Sequence, residues 1–85
     1  MQQVELYTKG YCPYCKRAKS LLTAKGVNFT DFEIDKQPEL RDPMIARANG
    51  KTTVPQIFIG DTHVGGCDDL FALESSGKLD SLLNS

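Results

Sequence analysis

Residues 4–15 read Val-Glu-Leu-Tyr-Thr-Lys-Gly-Tyr-Cys-Pro-Tyr-Cys and combine the patterns of a strand, a turn and a helix start. The apolar alternation over 4–8 predicts a strand, and Lys9-Gly10-Tyr11 predicts the turn that ends it. Pro13 suits the first turn of a helix, because its missing N–H would have no partner there. The two cysteines are therefore expected where a strand gives way to a helix.

Cys12 and Cys15 have the C-x-x-C spacing of a redox pair, which can close into a small disulfide or stay open as a dithiol. A helix N-terminus favours the thiolate form of a cysteine at its mouth. The sequence therefore predicts that Cys12 attacks first and that Cys15 resolves the mixed disulfide that results.

The same spacing is also half of a zinc site, since a structural zinc usually takes four Cys or His ligands. Cys12, Cys15, His63 and Cys67 are the four residues available for a Cys3His set. The strand-to-helix junction favours the redox interpretation, so no metal is expected. A zinc-binding module would unfold on chelation, which distinguishes the two interpretations.

The composition limits the class of protein. A chain of 85 residues suffices for one small domain with a single core, so residues 1–85 are interpreted as a single domain. With 25% charged residues and a net charge of -1, nothing indicates a nucleic-acid partner. No signal peptide or transmembrane run is recognisable, so we expect a cytoplasmic location without membrane contact. There a C-x-x-C is more often catalytic than structural.

Positive charge is concentrated near the C-x-x-C, because Glu5 is the only acidic residue before Asp31. The basic residues of this part of the chain are Lys9, Lys16, Arg17, Lys19 and Lys25. Their field would favour a thiolate and anionic substrates. A solvated helix face also explains the last four, which makes Lys9 the best functional candidate.

The rest of the chain alternates strand and helix patterns. The predicted elements are a helix from Pro13 to a stop at Gly26, a strand over 27–34, a helix over 40–48, a hairpin of strands 54–59 and 62–64, and two helices separated by Gly77. A strand–helix–strand unit followed by a hairpin predicts an α/β thioredoxin-like fold, with a mixed four-stranded sheet and helices on both faces.

Two helix starts have candidate caps. Asp42-Pro43 reads as an N-cap followed by a first-turn proline, since a proline inside a helix costs roughly 3 kcal/mol. We therefore expect the second helix to begin or restart at this point. Asp68 or Asp69 is expected to cap the third helix.

Three motifs in this order resemble the glutaredoxin family of the dithiol type: Tyr7-Thr8-Lys9 with Cys12-Pro13-Tyr14-Cys15, then Thr52-Thr53-Val54-Pro55, then Gly65-Gly66-Cys67-Asp68-Asp69-Leu70. They span almost the whole chain. The resemblance implies a monomeric, glutathione-dependent thiol–disulfide oxidoreductase. Its co-substrate would be glutathione, and its partners would be proteins with disulfides or with glutathione attached.

The resemblance also implies roles for residues around the cysteines. Cys12 would take glutathione as a mixed disulfide, and Cys15 would displace it or close the intramolecular disulfide. Tyr14 would flank the glutathione, unless it only packs on the helix start. Lys9 would meet the glycyl carboxylate of glutathione, and Arg41 is the candidate for a second contact there.

In the second motif, Thr53 and Val54 precede Pro55, which matches the family's cis-proline. The Val54 backbone would pair with the cysteinyl backbone of glutathione as an added strand does.

In the third motif, Gly66 would let the backbone approach the ligand, and the N–H groups of Cys67 and Asp68 would hold a carboxylate. Asp68 would accept from the α-amino group. The Cys67 side chain is more simply a packed thiol, and His63 a surface residue.

Two other functions share this fold. A thioredoxin-like reductase served by a flavoenzyme would differ in its reductant. A carrier glutaredoxin would hold an iron–sulfur cluster between two subunits through Cys12 and glutathione. Members of the family with that property usually lack the second Cys or the Pro after the first, so Pro13 and Cys15 disfavour it.

Overall fold

The computed structural model describes residues 2–85. Its strands are β1 (Val4–Thr8), β2 (Thr30–Glu33), β3 (Gln56–Ile59) and β4 (Thr62–Gly65). Its helices are α1 (Pro13–Ala24), α2 (Arg41–Arg47), α3 (Cys67–Ser75) and α4 (Lys78–Leu83), with a 3₁₀ turn over Pro38–Leu40 just before α2.

The four strands form one sheet in the order β2-β1-β3-β4. β1 runs parallel to β2 and antiparallel to β3, and β4 returns antiparallel to β3. The predicted mixed four-stranded sheet is thus confirmed. The parallel pair is joined through α1, which places the C-x-x-C at the end of β1.

The sheet carries a core on each face, because successive side chains of a strand point to opposite sides. On one face, α1, α3 and α4 cover Val4, Leu6, Ile57 and Ile59. On the other, α2 contributes Met44 and Ala48 to a smaller core with Tyr7 and Phe58. Helices on both faces are therefore confirmed.

The second strand is shorter than the predicted 27–34, because its first residues complete the end of α1. Gly26 takes the left-handed conformation with φ 72°, and the Val27 N–H donates to the Leu22 carbonyl at 2.9 Å. This is the bonding pattern of a Schellman helix end, which confirms the stop at Gly26. The third strand likewise begins at Gln56 and not at residue 54.

The prediction that Asp42 caps the second helix is wrong. The 3₁₀ turn already aligns the backbone, so α2 begins at Arg41 with Leu40 at its N-cap. Asp42 is exposed at the second helical position, and Leu40 makes no side-chain cap. Pro43 lies in the first turn, where a backbone N–H needs no helical partner.

Candidate active site

The sulfur of Cys12, the outer cysteine of the C-x-x-C, lies at the N-terminus of α1. Cys12 is the N-cap residue of this helix, and its Sγ accepts the backbone N–H of Cys15 at 3.4 Å. The same sulfur lies 3.9 Å from the carbonyl oxygen of Val54, to which the thiol can donate. Cys12 is half-buried, so its sulfur is reachable from outside.

The inner sulfur is enclosed. Cys15 has no exposed surface, and burial raises the pKa of its thiol from an ordinary value of 9.0 to about 12. One cysteine is thus accessible at a helix N-terminus, and the other is a buried thiol one turn along. This is the asymmetry that an attacking and a resolving cysteine require.

A groove of about 200 Å³ lies between the Val54–Pro55 loop and the start of α3. Its walls consist of Tyr14, Lys51, Thr53, Val54, Pro55, Gln56, Gly66, Cys67, Asp68 and Asp69. The Val54–Pro55 peptide bond is cis, as the resemblance implies. Cys12 is not among the wall residues, but the carbonyl oxygen of Val54, which is, lies 3.9 Å from the Cys12 sulfur, so the outer cysteine borders the groove at Val54.

The two glycines before α3 differ in what they permit. Gly65 has φ 115°, and a Cβ there would lie 2.3 Å from the Asp69 carboxylate. A Cβ at Gly66 would meet only the Pro55 carbonyl oxygen, at an ordinary 3.6 Å. Gly65 is therefore the position that demands glycine, whereas Gly66 lines the groove with its backbone.

The two candidate caps of α3 have different environments. The Asp69 carboxylate accepts the backbone N–H of Gly66 at 3.0 Å, so Asp69 makes the capping contact. Asp68 is exposed and has no hydrogen bond or ion pair with residues 2–85. Asp68 also lies in the groove wall, so its exposed side chain is accessible to a ligand there.

Cys67 begins α3 and is 5% exposed, within the larger core. Burial raises the pKa of its thiol. The interpretation of this side chain as a packed thiol is confirmed, and Cys67 is also one of the groove-wall residues.

The basic residues near the C-x-x-C are partly neutralised. Lys19 pairs with Asp31 at 2.8 Å, and Lys25 with Glu74 at 2.8 Å. Lys16 is exposed on α1, where solvent screens its charge. Because of this screening and the two ion pairs, the positive field near the cysteines is smaller than the sequence indicated. Neither Lys9 nor Arg41 lies in the groove wall, and their glutathione contacts stay predictions.

Sequence reasoning did not place Lys51, Gln56 or Asp69 in the groove wall. It placed His63 correctly on the second strand of the hairpin but described it as a surface residue. His63 is half-buried and not simply a surface residue, because its Nε2 lies 2.7 Å from Oε1 of Gln56. Gln56 itself is 1% exposed. One signal was available, since a polar residue opening the apolar strand Gln-Ile-Phe-Ile needs a partner.

Within residues 2–85, no three His, Cys, Asp or Glu side chains are grouped so that they could hold a metal ion. The Cys3His set considered for zinc is not assembled, and His63 is engaged with Gln56. In the same part of the chain, no helix has the length and apolar character needed to cross a bilayer.

A thioredoxin-like sheet with a C-x-x-C at the mouth of its first helix defines a thiol–disulfide oxidoreductase. The family model described as Glutaredoxin matches residues 4–64. The chain belongs to the glutaredoxin family.

Similar proteins agree with this assignment. The Glutaredoxin of Pseudomonas aeruginosa is 60% identical over 85 residues, which is 100% of both chains. Glutaredoxin 3 of Escherichia coli is 58% identical over 83 residues, covering 98% of this chain and 99% of the relative. The crystal structure of a buckwheat glutaredoxin–glutathione complex superposes with a TM-score of 0.88 at 31% identity, covering 98% of this chain and 77% of the other.

Proposed function

We propose that this protein reduces glutathione mixed disulfides and protein disulfides, with glutathione as its reductant. The observation that carries the proposal is the groove, whose wall includes Val54 beside the Cys12 sulfur and Asp68, a side chain with no hydrogen bond or ion pair among residues 2–85. The buckwheat glutaredoxin was crystallised with glutathione, which supports the same ligand here.

The groove offers complementary groups to an extended tripeptide. Val54 lies outside the ladder of β3, so its backbone can pair with a peptide as a strand edge does. The first N–H groups of α3, at Cys67 and Asp68, have no helical partner and suit the γ-glutamyl carboxylate. The Asp68 carboxylate suits the neighbouring α-amino group. Tyr14, 55% exposed, forms the outer wall beside the cysteine.

The chemistry follows from the two sulfurs. The Cys12 thiolate attacks the glutathione sulfur of a mixed disulfide; a new S–S bond forms, and the substrate leaves as a thiolate that takes a proton. A second glutathione thiolate then attacks, which releases oxidised glutathione and the Cys12 thiolate. With a protein disulfide, the Cys12 thiolate attacks one sulfur and the other leaves as a thiolate that takes a proton. Cys15 then loses its proton and attacks the Cys12 sulfur, so the Cys12–Cys15 disulfide forms and the second protein thiol is released. Two glutathione molecules reduce this disulfide in successive exchanges and leave as oxidised glutathione.

Further expectations belong to this proposal. The chain acts as one domain over 1–85 and as a monomer, with Lys9 and Arg41 reaching the glycyl carboxylate of glutathione. It works in the cytoplasm, where dithiols are kept reduced. Its protein partners carry disulfides or bound glutathione, and neither nucleic acid nor membrane takes part.

The choice of reductant tests the proposal. A small glutathione mixed disulfide is supplied with NADPH and either glutathione plus glutathione reductase or thioredoxin reductase. We expect turnover with glutathione and glutathione reductase, and none with thioredoxin reductase. Turnover with thioredoxin reductase alone would show a thioredoxin-like reductase instead. A brown colour on anaerobic purification would indicate the iron–sulfur carrier.

A further inference from the structure

Gln56 is a buried polar side chain at the point where the groove meets the sheet. Its Nε2 lies 2.9 Å from the Thr53 carbonyl oxygen and 3.3 Å from Thr53 Oγ1. A carbonyl oxygen can only accept, so the amide nitrogen of Gln56 must face Thr53. The Oε1 atom of Gln56 therefore points the other way, toward β4.

His63 on β4 meets that oxygen. Its Nε2 lies 2.7 Å from Gln56 Oε1, and because an amide oxygen can only accept, Nε2 must carry the proton. The ring is stacked on buried Phe58, with 4.9 Å between ring centroids. On the opposite edge, Nδ1 lies 3.5 Å from the Asn49 amide nitrogen, which suits an unprotonated acceptor.

From these contacts we propose that His63 and Gln56 form a positioning relay that holds the Thr53 carbonyl, and with it the Val54 backbone that receives glutathione. The relay rests on the proposed function. Residues 51–55 have no regular ladder of hydrogen bonds, so the Gln56 amide is a specific tie between this loop and the sheet. Neither residue touches the reacting sulfurs.

The reason for the histidine lies in the burial of its partner. Among residues 2–85, His63 is the one group that bonds Gln56 Oε1, and no buried side-chain polar atom there lacks a partner. Without the ring N–H, the buried oxygen would be unsatisfied, which is costly enough to turn the amide away from Thr53. The loop would then lose its tie even though no groove residue had changed.

The test uses His63→Phe, which keeps a ring on Phe58 without the N–H, and Gln56→Met, which keeps length without the amide. Each should raise the KM for a glutathione mixed disulfide about fivefold, with kcat nearly unchanged. The KM of the double variant should be no higher than that of the more affected single variant, because both changes break the same series of hydrogen bonds. Thr62→Val, on the exposed edge of β4, is the matched control and should leave KM unchanged.

A second measurement does not depend on the activity. His63 is the only histidine in the sequence, so its ring nitrogens can be assigned directly by NMR. At about pH 8 the neutral ring should carry its proton on Nε2, and a proton on Nδ1 would overturn the relay.

Equal KM values for wild type and His63→Phe would also overturn the relay. If thermal unfolding shows that His63→Phe does not fold, Gln56→Met decides, and its unchanged KM has the same meaning. Failure of the wild type itself to turn over the mixed disulfide would contradict the proposed function and not the relay, which the NMR measurement then still tests.

Discussion

The backbone N–H of Cys15 donates to the sulfur of Cys12 at 3.4 Å, while the sulfur of Cys15 is fully buried. Within one helical turn, the first cysteine is thus accessible to a substrate and the second is not. The inner thiol can therefore act only on what is already bound to the outer one.

Burial of the Cys15 thiol should make the free energy of unfolding decrease as the pH rises into the alkaline range. The pKa of Cys15 is raised from 9.0 to about 12 in the folded chain, so folding favours its protonated form. That contribution is complete below about pH 9 and is lost as pH rises toward 12, at no more than about 1.4 kcal/mol per pH unit. Under reducing conditions, the excess stability of wild type over Cys15→Ala should shrink across this range in urea titrations. A constant difference would contradict the burial effect.

The two cysteines should differ in what their loss removes. Cys12→Ser should abolish every thiol-transfer activity, because no later step occurs without the first attack. Cys15→Ser should keep most of the reduction of glutathione mixed disulfides, which needs only Cys12 and a second glutathione. It should lose efficient reduction of protein disulfides. Equal losses of mixed-disulfide turnover in the two variants would mean that the roles are assigned wrongly.

The carboxylate of Asp68 should matter for glutathione binding and not for the chemical step. Asp68→Ala removes the proposed acceptor of the α-amino group, a charge-assisted contact, so KM for glutathione mixed disulfides should rise about tenfold with kcat nearly constant. Asp61→Ala, in the turn at the far end of the hairpin, removes the same charge and should leave KM unchanged. An unchanged KM for Asp68→Ala would exclude Asp68 from the glutathione site.

The neighbouring Asp69 should matter for stability. Asp69→Ala removes the contact with the Gly66 N–H and should lower the free energy of unfolding by about 1 kcal/mol. Asp42→Ala is the matched control, since Asp42 is exposed and makes no cap, and its effect should be within about 0.5 kcal/mol. Chemical denaturation compares the two, and a larger loss for Asp42→Ala would reverse the assignment of the caps.

The sheet, the helices on both faces and the redox pair were predictable because each rests on local patterns. The alternation over 4–8, Pro13 after Cys12 and the glycine at 26 each have one simple structural meaning. The prediction of a helix start at Asp42-Pro43 was wrong because the 3₁₀ turn over Pro38–Leu40 leads directly into α2, which begins one residue before Asp42.

The groove was harder to predict because contacts between distant segments define it. The bond between His63 and Gln56 crosses the hairpin, whose register shifts between Ile57 and Phe58, so no sequence spacing indicates it. Lys51 lies in the groove wall, but in the sequence it is one charged residue in a polar loop, and nothing nearby indicates this position.

The proposed function requires Cys12 to accept glutathione beside this groove. The most direct measurement treats reduced Cys15→Ser with oxidised glutathione and maps the modified cysteine by mass spectrometry. One glutathione on Cys12 is expected, because Cys12 is partly exposed and its sulfur lies beside Val54 of the groove wall, whereas Cys67 is packed in the core. Modification of Cys67 in place of Cys12, or no stable adduct, would show that Cys12 is not the cysteine that receives glutathione.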